Sequence, residues 1–443
     1  MYSYSGNVPF EERFSAIPVE IRANIYSLCS KKDVKNLALC NRWLREDVGP
    51  LFWKNIDVSW SRLEKLTPVL CKKGNSNLRL VSKLIFSGYV EEKKLADYSA
   101  YGLLLFLQSC DCNRLTSIEF TSFIPAGAIR VMGEILHNLQ HLDLGTALVD
   151  LEYLPQLSSA LKSLIIYGTD RCLKKKHWEG ICKMEHLKIL TFSNSYRNDI
   201  LIDDLASVKE FNLKNIVKLD VHPMTDNLLL KIATTCVKLE DLSIMDRDND
   251  DAATKNGVTD LGISCLAHHP ALKRLTFFEC PGITDQSMLF LSKLSTLENL
   301  RFTLCSSLTT NCFSFMCDMR SLKHLNIFPD HEINPTDAEF AHIQNLRSLR
   351  TLDIIGFGNL TDVSLEVIGR LPCMEQVNIS CCSGFTNDGL AHLTELPNLK
   401  GLSCIDAVDS DDEDDEDNAV ANKMKITLTG LAWHGFSKKN SSK

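Results

Sequence analysis

Leu272-Lys273-Arg274-Leu275-Thr276-Phe277 is followed by Leu297-Glu298-Asn299-Leu300-Arg301-Phe302 and then by Leu322-Lys323-His324-Leu325-Asn326-Ile327, each block starting 25 residues after the one before. In every block the first, fourth and sixth residues are apolar. The same pattern recurs outward in both directions. Its first anchors are Val81, Leu115, Leu139, Leu161, Leu187, Ile216, Leu239, Leu272, Leu297, Leu322, Leu349, Met374 and Leu399, which makes thirteen copies spaced 22 to 34 residues apart. One copy would say little, because ordinary strands and helices also carry it. Thirteen copies at a near-constant period define a repeat architecture.

The fourth and sixth positions alternate with polar residues, the period of a half-buried strand. A second apolar stretch follows each strand: VTDLGISCLA from Val258, ITDQSMLFLSKL from Ile283, LTDVSLEVIGRL from Leu360 and FTNDGLAHLTEL from Phe385. A Thr-Asp pair can cap a helix there, so each unit reads as strand, loop and helix. No repeat can bury its own apolar edge, and neighbours must stack. Three buried anchors contribute about 5–9 kcal/mol per repeat before chain entropy is subtracted. Parallel strands ~4.8 Å apart give an arc of roughly 58 Å along the strand face. Such an extended concave surface suits a protein ligand better than a metabolite.

Composition narrows the class. The chain has 443 residues, of which 44% are hydrophobic and 23% charged, values that exclude collagen, a disordered chain and a disulfide mini-scaffold. Its net charge of −8 comes from 48 basic and 56 acidic residues. The run Asp409-Ser410-Asp411-Asp412-Glu413-Asp414-Asp415-Glu416-Asp417 supplies eight of those acids, and the remainder is neutral. With no basic excess, no nucleic-acid partner is expected. The longest apolar run, Leu103 to Leu107, is far short of the ~20 residues a membrane span requires, and the N-terminus lacks a signal-like core. No membrane partner is expected, and the expected compartment is cytoplasmic or nuclear. The 17 cysteines then read as small buried hydrophobes. Neither the pairs Cys110/Cys112, Cys312/Cys317 and Cys381/Cys382 nor His268-His269 forms zinc spacing, so no metal or other cofactor is expected.

The segments ECPGITDQSM (Glu279 to Met288), LCSSLTTNCF (Leu304 to Phe313) and CCSGFTNDGL (Cys381 to Leu390) resemble the cysteine-containing leucine-rich repeat. That resemblance implies interior, loop-capping roles for Cys280, Cys305 and Cys381. This repeat subtype is common among F-box proteins.

The first sixty residues lack the repeat. Pro18 can open a helix whose face carries Ile21, Ile25 and Leu28. Asp33 can cap a second helix with Val34, Leu37 and Ala38, and Leu51-Phe52-Trp53 closes a helical module of about 45 residues, small enough to gain from docking on a partner. Ile17-Pro18-Val19-Glu20-Ile21, Asp33-Val34, Leu37-Ala38-Leu39-Cys40-Asn41-Arg42-Trp43 and Leu51-Phe52-Trp53 resemble an F-box. Ile17 replaces the usual Leu, and Cys40-Asn41 the usual Val-Cys. The match covers about a tenth of the chain. A helical block at this position could also cap the solenoid.

The fold expected is α/β: an N-terminal helical F-box module followed by a leucine-rich-repeat solenoid (a horseshoe) with a parallel concave sheet and helices on the convex side. The expected divisions are a flexible N-terminus (1–13), the F-box (14–58), a linker or cap (59–80), the solenoid (81–408), an acidic linker (409–423) and a C-terminal cap or tail (424–443). The resemblance implies a non-catalytic substrate receptor of an SCF-type ubiquitin ligase. Its F-box would dock on a Skp-type adaptor and, through it, on a cullin-RING scaffold, while the solenoid holds an unknown protein substrate. Ile17, Pro18, Ile21, Ile25, Leu28, Val34 and Leu37 then form or support the adaptor face, some of them as the module's own core. A protein-binding scaffold or inhibitor outside any ligase is the other reading.

Substrate contacts are expected where residues flank the fourth and sixth anchors. The residue after the sixth is unusually apolar in several repeats, giving Tyr167, Met245, Phe278, Phe328 and Ile355, with His222 in the same column. Arg274, Arg301 and His324 are nearby. Exposed aromatics and Arg are common interface anchors. The acidic run reads as a solvated linker or as an arm for a basic partner.

Overall fold

The computed structural model describes residues 54–59, 80–87, 100–121, 124, 127–145, 151–157, 159–167, 175–193, 203–222, 224–246, 257–328, 333–382, 384–394, 396–404 and 426–429, together with 17, 18, 21, 22, 25, 26, 28, 29, 36 and 48. The chain divides into two compact units, Met1–Arg171 and Cys172–Lys443. Among the described residues no helix is long and apolar enough to cross a membrane.

In the first unit, β1 (Asn55–Ser59), β2 (Lys83–Ser87), β3 (Ser117–Phe120), β4 (His141–Asp143) and β5 (Ser163–Tyr167) run parallel in sequence order. The register places equivalent repeat positions side by side: Lys83 opposite Ser117, Ser117 opposite His141, His141 opposite Ser163. Alternation does the rest. Leu84, Phe86, Ile118 and Phe120 are buried under the sheet while the residues between them are half-exposed. Phe86 stacks on Phe120 with ring centroids 5.0 Å apart and packs edge-on, at 6.2 Å, against Phe106 of the helix Ala100–Ser109. Gly145 closes the turn after β4 at φ 54°, and a Cβ there would lie 2.0 Å from the Phe120 carbonyl oxygen. Only glycine fits that position. The sheet starts ahead of the first repeat: β1 pairs in register with β2, Asn55 opposite Lys83. Asn55-Ile56-Asp57-Val58-Ser59 alternates as a strand should, and Trp53-Lys54-Asn55-Ile56-Asp57-Val58 fits the repeat pattern with Trp53 at the first anchor, a copy beyond the thirteen counted.

The second unit holds β6 (Ile189–Ser193), β7 (Lys218–Val221), β8 (Asp241–Met245), β9 (Arg274–Phe278), β10 (Asn299–Thr303), β11 (His324–Phe328), β12 (Thr351–Ile355), β13 (Gln376–Ser380), β14 (Gly401–Cys404) and β15 (Ile426–Thr429). The strands from β6 to β14 pair parallel with their sequence neighbours. β15 pairs antiparallel with β14. Each parallel connection carries a helix, as parallel pairing demands; examples are Asp226–Thr235, Asp260–Ser264, Asp285–Leu291 and Asp362–Gly369. Twelve of the thirteen first anchors are buried, and Leu399 is half-buried. Repeated strands, in-phase register and returning helices make these leucine-rich repeats.

The Thr-Asp pairs do more than cap. Thr225, Thr259, Thr284 and Thr361 each accept a backbone N–H of their own helix on Oγ1. The following Asp reaches forward to the Thr of the next repeat. Asp226 accepts from Thr259 N–H at 2.8 Å, Asp260 from Thr284 at 3.0 Å, Asp285 from Thr309 at 2.9 Å, Asp337 from Thr361 at 3.0 Å and Asp362 from Thr386 at 2.8 Å. The hydroxyl of each of these threonines donates to the same carboxylate. The carboxylate also sits over the third helical position of the next repeat. Ser287 and Ser364 donate to it there, and Cβ atoms built on Gly262 and Gly389 would lie 2.2 and 1.9 Å from it. The Gly-or-Ser preference at this position follows from that crowding.

The cysteine expectation needs one correction. Cys280, Cys305 and Cys382 are buried, and each thiol points at the carbonyl two residues back, at 3.4, 3.5 and 3.4 Å. The residue before each is left-handed: Glu279 at φ 49°, Leu304 at 54° and Cys381 at 56°. In the third segment the interior cysteine is therefore Cys382, and Cys381 occupies the turn position. The Cys381-Cys382 doublet made a one-residue slip invisible in the sequence.

Candidate protein-binding face

In the N-terminal block, the amides of Ile21 and Arg22 both donate to the Pro18 carbonyl, at 3.0 and 3.1 Å. Proline thus opens the helical turn, as its fixed φ favours. Tyr26 is buried at 4% exposure, while Ile21, Ile25 and Leu28 are 51%, 39% and 88% exposed. The i, i+4 spacing of Ile21 and Ile25 places both on one helical face, and Leu28 stands in the turn that follows, its N–H on the Ile25 carbonyl at 3.2 Å. Ile17 is half-buried and Pro18 exposed. Val34 and Leu37 lie outside the described residues.

The strand face carries the second set. In β8, β9, β11 and β12 the second and fourth residues are buried and the first, third and fifth are not. The fifth positions line up by register: Met245 opposite Phe278, Phe278 opposite Thr303, Thr303 opposite Phe328, and Ile355 opposite Ser380. Met245, Phe278, Phe328 and Ile355 therefore share one half-buried row in the second unit, interrupted by Thr303. Tyr167 ends β5 of the first unit and is exposed. His222 is buried at 7% exposure, its Nε2 against Asp220 Oδ1.

Polar side chains cross-link the rest of this face. Asp241 takes Arg274 at 3.1 Å and Lys218 at 3.9 Å. Asn326 donates to Asp353 at 3.0 Å, and His324 lies 3.0 Å from the Thr351 hydroxyl. Arg301 differs. It is exposed, has no ion pair among the described residues, and its guanidinium sits 5.7 Å from the centre of the Phe328 ring. In the first unit Lys83 pairs with Glu119 at 2.8 Å, and burial pushes the Asp143 carboxyl above its ordinary range.

Among the described residues this arrangement offers apolar contact, the unpaired cation Arg301 and aligned hydrogen-bonding groups. Among the described residues no cluster of three His, Cys, Asp or Glu could hold a metal ion. Cys182 and Cys236 are buried, and burial pushes their thiols up to about 11 and about 12. The sequence reading missed Thr303 and Leu304. Thr303 is small where its neighbours are large, and that contrast was legible in the column.

No family profile matches the sequence, and no curated protein does either. Among solved structures, that of an internalin (inlF) from Listeria monocytogenes str. 4b F2365 is 18% identical over 77% of this chain and 94% of that one, with a TM-score of 0.47. The yeast Rad7 and Elc1 complex is 17% identical over 90% of this chain and 94% of that one, with a TM-score of 0.48. The TLR13–ssRNA13 complex is 17% identical over 76% of this chain and 44% of that one, with a TM-score of 0.49. The repeat fold stands on the chain's own strand register.

Proposed function

We propose that this chain is a substrate receptor of an SCF-type ubiquitin ligase. The N-terminal helical face docks on a Skp-type adaptor, and the strand face of the repeats holds a protein substrate. One observation carries the reading: Ile21, Ile25 and Leu28 stand exposed within the block that resembles an F-box, while Tyr26 among them is buried. Exposed apolar side chains clustered in one short helical segment cost hydration in the free protein and suit helix-in-groove recognition. The receptor makes no covalent bond. It raises the local concentration of substrate near a charged conjugating enzyme, turning a bimolecular encounter into an intramolecular one.

The test is retention of a Skp-type adaptor by the full chain in a pull-down, repeated with Ile21→Asp, Ile25→Asp and Leu28→Asp. A receptor retains the adaptor as wild type and loses it in the variants. A chain that never retains it is a binding scaffold outside any ligase, the second reading, which the strand face alone would support.

A further inference from the structure

The outward residues of β9, β10 and β11 differ from those on either side. Asp220 and Asp241 lie on β7 and β8, and Asp353 lies on β12, but no outward position of the three central strands is acidic. These central positions include Arg274, Arg301 and His324. Arg274 is neutralised by Asp241 at 3.1 Å. Arg301 has no such partner among the described residues, and Asp353, two strands away, is already held by Asn326. An exposed guanidinium with no carboxylate partner among the described residues is a local demand for an anion.

Shape adds a second demand. Thr303 is opposite Phe278 on one side and Phe328 on the other. Two strand spacings place those aromatic side chains roughly 10 Å apart with only a threonine between them. The row of side chains therefore dips at Thr303, a notch between two aromatics, with Leu304, 41% exposed at φ 54°, next to it in the chain. Arg301 lies in the same strand, two residues before Thr303, and its guanidinium rests over the Phe328 ring.

We propose that the segment seated on this face is an acidic peptide stretch of the protein substrate. It places an apolar side chain in the Phe278–Thr303–Phe328 notch and a carboxylate on Arg301. The guanidinium can pair with a carboxylate in its plane while its face stays on the ring, so the two contacts reinforce each other. Single-stranded nucleic acid also combines anion and flat apolar group, but one unpaired cation bracketed by Asp241 and Asp353 is too little to hold a phosphate backbone. The proposal rests on the strand face being the substrate face.

Panning a random library of peptides of about 12 residues on the full chain tests it; at ~3.4 Å per residue such peptides can cross the whole of β8 to β12. Enriched peptides should carry Asp or Glu within a few residues of an aromatic or aliphatic side chain. Their affinity, read by fluorescence polarisation, should fall roughly tenfold or more in Arg301→Glu and in Thr303→Phe, which fills the notch. A peptide with its acid exchanged for Lys should regain binding to Arg301→Glu, a rescue that misfolding cannot produce. Peptides without acidic bias, no enrichment at all, unchanged affinity in both variants, or displacement by a single-stranded RNA oligonucleotide that binds more tightly would each overturn the proposal. Because no adaptor is present, the two readings separate. Acidic selection without adaptor retention in the pull-down ends the ligase reading alone, and adaptor retention without acidic selection ends this one alone.

Discussion

The carboxylate of Asp260 accepts both the backbone N–H and the hydroxyl of Thr284, at 3.0 and 2.8 Å, and the same Thr284 oxygen accepts Gln286 N–H at 3.2 Å. One threonine thus starts its own helix and fastens it to the helix before. Burial alone would raise the Asp260 carboxyl, but hydrogen bonds from Ser287 and Thr284 outweigh it and hold the group below its ordinary value. Asp337 shows the same balance with Ser364 and Thr361. Asp260→Ala should cost about 1–3 kcal/mol, since it leaves donors without an acceptor, and the fall should be read as a lower urea midpoint. The pH dependence has a definite sign. A folded value below the unfolded ~3.9 contributes stability fully above that pH and loses it as pH falls through the folded value. Between about pH 5 and pH 2, wild type should therefore lose more stability than the double variant Asp260→Asn, Asp337→Asn. Parallel slopes would show that these carboxylates do not fasten the repeats.

The series has one substitution, and the chain compensates for it. Where five repeats place Asp before the next Thr, the Leu308 repeat has Thr310. The following helix then carries Glu339 at the position where the others carry Gly, Ser or Cys. Glu339 accepts the Thr336 N–H and hydroxyl at 2.8 Å each, and Thr310 donates to its other oxygen. A carboxylate still satisfies the same threonine, now reaching from within the helix as in a capping box. Thr310→Asp should set two carboxylates against each other and lower stability by about 1 kcal/mol. Thr310→Asp with Glu339→Ser rebuilds the ordinary arrangement and should recover most of that loss. A double variant no more stable than the sum of its singles would deny that the two positions are coupled.

The cysteine column distinguishes two adjacent residues. Cys381 sits at φ 56°, where a side chain strains the backbone, and Cys382 is buried. Cys381→Gly should hold or raise stability by about 1 kcal/mol. Cys382→Arg should abolish folding of that repeat by placing an unpaired charge in the interior. Cys182 and Cys236 should also react slowly with a thiol reagent in the native protein at neutral pH, because burial pushes them up to about 11 and about 12, leaving almost no thiolate. Rapid modification of either residue in native protein would contradict its depth.

Strand positions were readable because a buried, in-phase anchor has few substitutes: Leu275 and Leu300 are opposite each other in register, as equal spacing required. β1 was less readable, because Trp53, its first anchor, also fits the close of the helical module, and only the pairing with β2 shows that Trp53-Lys54-Asn55-Ile56-Asp57-Val58 starts the sheet. The inter-repeat bond from Asp to Thr was also hidden. It joins residues 24 to 33 positions apart, and within one repeat the Asp reads only as helix-start chemistry. On the strand face the apolar row was legible as a column, but the burial of His222 against Asp220 was not. Sequence marks which side a residue faces, whereas its neighbours decide whether it reaches solvent.

Tyr26 and Leu28 separate the two jobs of the N-terminal helix. Tyr26 is 4% exposed and Leu28 is 88% exposed, two residues apart. Removing the buried ring in Tyr26→Ala creates a cavity and should cost about 2–5 kcal/mol. Leu28→Asp exchanges one solvated side chain for another and should leave the urea midpoint within about 0.5 kcal/mol of wild type. Adaptor retention should follow the opposite order of cause. Leu28→Asp should abolish it in a fully folded protein, because a charge enters the centre of an apolar contact, where it cannot be hydrated. Tyr26→Phe, which keeps the ring and loses only the hydroxyl, should retain the adaptor. If Leu28→Asp and Ile21→Asp both leave the adaptor bound, the exposed face has another occupant, and the receptor reading fails at that helix.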